Sequence, residues 1–171
     1  NLFAKTAVDA MDLSEVSKER LIRESLKRLV LHEVGHTLGL NHNFKGSNLL
    51  TYEEIKQKEI TFEKGLCSSV MEYPSINFSL DPDNQGLYYD TVPGAYDHWA
   101  IRFAYSEVDA AGLTKILDES TYPEHAFGND ADDMRGTGKG MDPDAMIYDL
   151  TSDPVSYAID RMKLVNTIFP E

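Results

Sequence analysis

Along most of the chain apolar residues recur at helical rather than strand spacing. Leu21, Ile22, Leu26, Leu29, Val30 and Leu38 follow the helical period, and polar residues between them fill the other face. Ser17, followed by Lys18, Glu19 and Arg20, reads as the start of this helix, its hydroxyl placed to cap free N–H groups. Gly39 permits the left-handed residue that stops it after about Leu38. Thr51-Tyr52-Glu53-Glu54 fits a capping box ahead of a second helix through about Lys58. Gly65, Pro74, Pro82 and Gly86 break residues 65–92 into irregular chain with short extended pieces. A third helix is predicted after Pro93, carrying Tyr96, Trp99, Ala100, Phe103 and Ala104, and a fourth from Ala110 to Leu117. Residues 118–150 read as a long Gly/Asp/Pro-rich connection. Asp153-Pro154 then opens a last helix to about Ile168, with proline at its first position. The expected fold class is therefore predominantly α with irregular loops, without internal repeats or low-complexity tracts.

Composition places these elements in one ordinary domain, or part of a larger one: 171 residues, 42% hydrophobic and 26% charged, enough to bury a real core. The net charge of −13 argues against nucleic acid or an anionic membrane surface as the main partner, since both are polyanions. No apolar run approaches the ~18 residues of a membrane span. The single Cys67 excludes an internal disulfide. Residues 1–64 carry ten acids and ten bases, whereas residues 107–153 carry twelve acids and three bases. That acidic stretch reads as solvated loop surface, bearing on solubility or on a preference for basic substrates rather than on holding a metal. The competing reading is an Asp-rich calcium loop or adhesion module, but in Asp81-Pro82-Asp83-Asn84-Gln85-Gly86 the twelfth position is Val92, where a bidentate Glu is needed, and a surface turn fits better. Asn1 to Asp12 lacks the basic start and apolar run of a signal peptide, and the chain is read as cut from a longer protein, with any export signal lost upstream.

The first helix ends in His32-Glu33-Val34-Gly35-His36-Thr37-Leu38-Gly39-Leu40-Asn41-His42. His32 and His36 are four residues apart and project from one face, so two imidazoles can hold one zinc ion. Glu33 lies about 100° further round the helix, where a carboxylate reaches a metal-held water and serves as general base. Gly39 breaks the helix, and His42 can swing back as the third ligand, leaving a fourth position open. A lone helical histidine is usually polar surface or a hydrogen-bonded core residue. The added glycine and histidine at fixed offsets lower the chance rate of the match by roughly several hundred-fold on average residue usage.

This string resembles the metzincin metallopeptidase signature, in which three histidines bind zinc and the glutamate activates water. Ser69-Val70-Met71-Glu72-Tyr73 is similar to the Met-turn of astacins and serralysins, with Met71 beneath the zinc and Tyr73 as a catalytic candidate whose hydroxyl assists the reacting carbonyl oxygen. The string through Ser47, the Met-turn and Tyr96-Asp97-His98-Trp99-Ala100-Ile101 together look like a group of large, exported bacterial metzincin proteins, over about residues 25–106; Ser152 to Ala158 also resembles that group. His98 and His125 stay outside the metal set. The resemblance implies a zincin-like active-site helix at 17–39, a Met-turn region at 65–75 and a helical C-terminal part at 93–171, together one partial catalytic domain over 1–171. It further implies a periplasmic, cell-surface or secreted location.

The same resemblance implies Zn2+ held by His32, His36 and His42, lowering the pKa of its water to about 7. Glu33 takes the proton as water attacks a peptide carbonyl and returns it to the leaving amine. The implied partner is an extended polypeptide substrate. The family places a twisted sheet before this helix, yet only about 16 residues precede it here, too few at about 5–6 residues per strand. The sheet is thus expected to be missing from this chain, leaving the helix's apolar face in need of another partner, such as a second copy or a rearranged contact. A non-catalytic module that keeps zinc only to brace its fold is the alternative. Phe44, Leu66, Ile76 and Phe78 are apolar candidates for a specificity pocket, or else core.

Overall fold

The computed structural model describes residues 13–133, 135, 140 and 142–168. The leader reading of Asn1 to Asp12, and part of the 118–150 connection, lie outside them. Among the described residues five α-helices follow in order: α1 Glu15–Thr37, α2 Lys58–Lys64, α3 Ala95–Tyr105, α4 Ala110–Asp118 and α5 Pro154–Ile168. Short 3-10 turns occupy Gly46–Leu49, Pro82–Asn84, Glu119–Thr121 and Pro123–His125. Among the described residues there is no strand, and no helix is long and apolar enough to cross a membrane.

Two predicted helix starts move. Ser14, not Ser17, caps α1: its Oγ accepts the Ser17 N–H at 3.2 Å, Glu15 puts a carboxylate in the positively polarised first turn, and the two serine hydroxyls lie 3.0 Å apart. The Thr51–Glu54 box does form, with Glu54 Oε2 accepting from the Thr51 N–H at 2.9 Å. It closes only a turn, however, because Gln57 is extended (φ −97°, ψ 106°), and α2 starts afresh at Lys58. That break turns Ile55 inward against Leu50, Leu66 and Leu150, while α2 buries Thr61. The 118–150 connection is partly ordered by the 3-10 turns at its head, which pack with α3 and α4.

Among the described residues the core forms three small clusters rather than one layer. Leu21 of α1 meets Ile76, Phe78, Tyr88 and, from α5, Leu164 and Ile168. A second cluster gathers Leu50, Leu66, Cys67, Leu87 and Tyr157, and a third Phe44, Ala145 and Ile147 beside Tyr73. Phe44, Leu66, Ile76 and Phe78 are thus buried core. With no ladder to satisfy them, loop N–H groups are held by buried carboxylates. Asp90 accepts from Leu66 and Cys67 at 2.6 and 3.1 Å, and Glu24 of α1 from Tyr88 and Tyr89 at 2.6 and 3.2 Å. In contrast, most of the apolar stripe on α1 is open to solvent: Ile22, Leu26, Leu29, Val30 and Leu38 are all exposed, and only Leu21 of that set is buried.

Candidate metal centre

Three side chains of the signature string converge at the end of α1. His32 and His36 are a helical turn apart with ring centroids 4.8 Å apart, and His42 returns to lie 5.4 Å from His32 and 4.9 Å from His36. The return is made by the way the helix stops. Gly39 takes φ +89°, the Leu40 N–H bonds to the Gly35 carbonyl at 3.0 Å, and the Gly39 N–H bonds to the His36 carbonyl at 3.0 Å. This paired Schellman pattern reverses the chain within two residues, and glycine accepts the left-handed backbone without a Cβ penalty.

Each imidazole spends its Nδ1 on an oxygen. His32 Nδ1 lies 2.8 Å from the Val70 carbonyl, His36 Nδ1 3.0 Å from the Leu40 carbonyl, and His42 Nδ1 2.8 Å from Oδ2 of Asp130. Carbonyl oxygens only accept, so Nδ1 carries the proton in His32 and His36, and a neutral ring keeps its lone pair on Nε2. Nε2 of His32 and of His42 is buried without a hydrogen-bond partner among the described residues. Burial, above all, pushes the His32 pKa down, with Arg28 and the other two histidines adding to it against the Val70 carbonyl, so its neutral, metal-binding form is favoured. One nitrogen from each ring lies within 4.8 Å of the others, a grouping that could hold one metal ion. The orphaned Nε2 atoms and the all-imidazole donor set suit zinc.

The Ser69–Tyr73 segment packs against this end of α1. Met71 is fully buried, with its sulfur so close to Gly35 that a Cβ there would overlap it. The Asn43 N–H bonds the Met71 carbonyl at 3.2 Å, tying the turn to the residue after His42. Asp97, at the start of α3, organises the turn: it accepts from the Ser69 hydroxyl at 2.6 Å and from the Val70 and Gly94 N–H groups at 2.8 Å each. The ring of Tyr73 lies 4.9 Å from His32 and 4.8 Å from His42, with the Arg28 guanidinium 5.3 Å from its centroid. Arg28 also donates to the Glu72 carbonyl. Glu33 is exposed on α1, next to His32.

His98 and His125 are not drawn into this group. His98 is exposed on α3, and buried His125 gives its Nδ1 to the Glu119 carbonyl at 2.7 Å. Sequence reasoning missed Asp97, Arg28 and Asp130. Asp97 has a local signal, since an acid three residues after Gly94 is a capping position, but nothing in the string announces its reach to Val70. Asp130 has no local signal at all, and its contact shows that the acidic stretch does approach the metal position.

Neither a curated protein nor a solved structure matches the chain. A family model described as Met-zincin matches residues 14–171, from the cap of α1 through the end of α5, and carries with it a zinc-metallopeptidase-like fold. With the histidine triad and the Schellman break both in place, the chain belongs to the Met-zincin family.

Proposed function

We propose that the chain carries the zinc-holding machinery of a metalloendopeptidase acting on extended polypeptide. The observation that supports this most is the convergence of three imidazoles whose Nδ1 atoms are all engaged, leaving Nε2 for an ion, on a helix that also carries Glu33. His32, His36 and His42 would hold zinc, which supplies a Lewis acid for polarising a peptide carbonyl and acidifying water. The Glu33 carboxylate takes the proton from attacking water and hands it to the leaving amine. The Tyr73 hydroxyl, carried on a ring packed against two of the histidines, donates to the developing oxyanion. Met71 supports the site from below without touching substrate. Export from the cell belongs to the same proposal.

A second reading is a zinc-braced binding module without turnover. It is favoured by the absence, among the described residues, of any strand that could pair with an extended peptide. The discriminating experiment is metal analysis of the purified protein followed by cleavage of generic peptides, with two variants. Glu33→Gln is expected to keep stoichiometric zinc and lose at least ~100-fold in turnover, the usual scale for general-base catalysis. His36→Ala is expected to lose both. Zinc without Glu33-dependent cleavage would sink the peptidase and leave the binding module.

A further inference from the structure

Asp130 reaches the metal centre from 88 residues further along the chain, Oδ2 lying 2.8 Å from Nδ1 of His42. Its approach is built rather than incidental. The segment before it is fastened to the residues after His42: the Phe44 N–H donates to the Gly128 carbonyl at 2.7 Å, the Asn43 amide donates to the Ala126 carbonyl at 3.0 Å, and the Gly128 N–H donates to Asn43 Oδ1 at 3.2 Å. Gly128 passes so near Ala145 and Lys45 that a Cβ would stand 3.1 and 3.2 Å from their side chains. The three histidines therefore differ in what orients them. His32 and His36 sit on a helix and bond main-chain carbonyls, whereas His42 lies beyond the Gly39 break and relies on one carboxylate.

We infer that Asp130 is the positioning residue for His42. It holds the Nδ1 proton, which fixes the tautomer with its lone pair on Nε2, restrains rotation of the ring, and makes that nitrogen a stronger donor to a cation. The inference rests on the reading that the three histidines hold zinc. It assigns part of the acidic stretch a task that net charge does not perform.

The test is zinc affinity measured by competition against a chromophoric chelator, with visible spectra of the Co2+-loaded protein as a second readout. Asp130→Ala is expected to weaken zinc 10–100-fold, the usual cost of losing a partner behind a ligating histidine, and to move the cobalt bands, while the far-UV spectrum of the metal-free protein is unchanged. Asp130→Asn keeps an acceptor oxygen without the charge and should fall between; it also carries the test if the alanine variant does not fold. Asp132→Ala, which removes a nearby carboxylate that accepts from the Asn129 N–H at 3.0 Å, is expected to bind zinc as the parent does. The inference is overturned if Asp130→Ala stays within twofold of the parent, or if Asp132→Ala loses as much. Failure of the parent itself to bind zinc would instead remove the metal reading, and this inference with it.

Discussion

At Gly35 a single methyl group would separate close packing from overlap beneath the histidine-bearing helix end. The residue stands between His32 and His36 on α1, and its missing side chain is what lets the Met71 sulfur press against the helix. Gly35→Ala is expected to destabilise the protein by about 1–3 kcal/mol through overpacking, since a fully buried methionine has little room to retreat. Urea unfolding of the metal-free protein measures this, and a neutral result would mean that the turn slides away at little cost. Truncating from the other side should cost more: Met71→Ala leaves a cavity and is expected to lose about 2–5 kcal/mol. Local spacing made the grouping of the three histidines and the Gly39 stop legible, because helix geometry relates residues four apart and a glycine stop is a local event. Gly35 is only a spacer within that string, since its role depends on Met71, a residue from another part of the chain.

Among the elements, α1 shows where pattern and structure part. Its apolar stripe correctly marks a helix, but the periodicity says only that a face is suited to burial and not what buries it. Leu26 is 59% exposed, whereas Leu21, one turn and a half earlier, is 8% exposed in the cluster with α5. Leu26→Lys is therefore expected to change stability by no more than about 0.5 kcal/mol, and Leu21→Ala to cost about 2–5 kcal/mol, in parallel denaturant titrations. Equal losses would show that α1 is buried in solution along its whole length. The Ser69–Tyr73 segment is tied to the rest of the fold by contacts that lie beyond reach of the sequence. Its N–H groups have no ladder, and Asp97 satisfies Val70 and Gly94 from 27 and 3 residues away. Asp97→Ala should cost on the order of 3 kcal/mol, because it strands these donors in a buried place. The same dependence on distant carboxylates explains why Asp90, Glu24 and Asp130 carry no local signal, while Thr51–Glu54, a purely local box, forms as its residues predict but closes a turn instead of opening a helix.

For the whole molecule, the charge of −13 and the buried acids together set how stability responds to pH. Glu72 is fully buried next to Met71; burial first, then the nearby Asp149, push its carboxyl up to about 8, against the Tyr73 and Ser47 N–H groups and Arg28. Burial likewise raises Asp90 and Asp149 to about 6. A carboxyl with a raised folded pKa stabilises fully below its unfolded value and loses that contribution as pH climbs through the folded one. His32 works the opposite way, since its lowered pKa makes the fold gain stability as pH rises toward 6.5. Above 6.5 that opposition has ended and Asp90 and Asp149 have largely ionised, so Glu72 governs the window from there to about pH 8. In that window the metal-free protein, with chelator present, is expected to lose stability as pH rises. General repulsion among the surface acids gives a slope of the same sign, and two controls separate them. Salt at 1 M shortens the screening length to about 3 Å and should flatten the surface contribution while leaving the buried one. Glu72→Gln, which keeps an oxygen for the Tyr73 N–H but has no proton to lose, should abolish the salt-resistant slope between pH 6.5 and 8. An unchanged slope in that variant would place the ionisation elsewhere and leave the acidic surface, not the residue behind the Met-turn, as the source of the pH response.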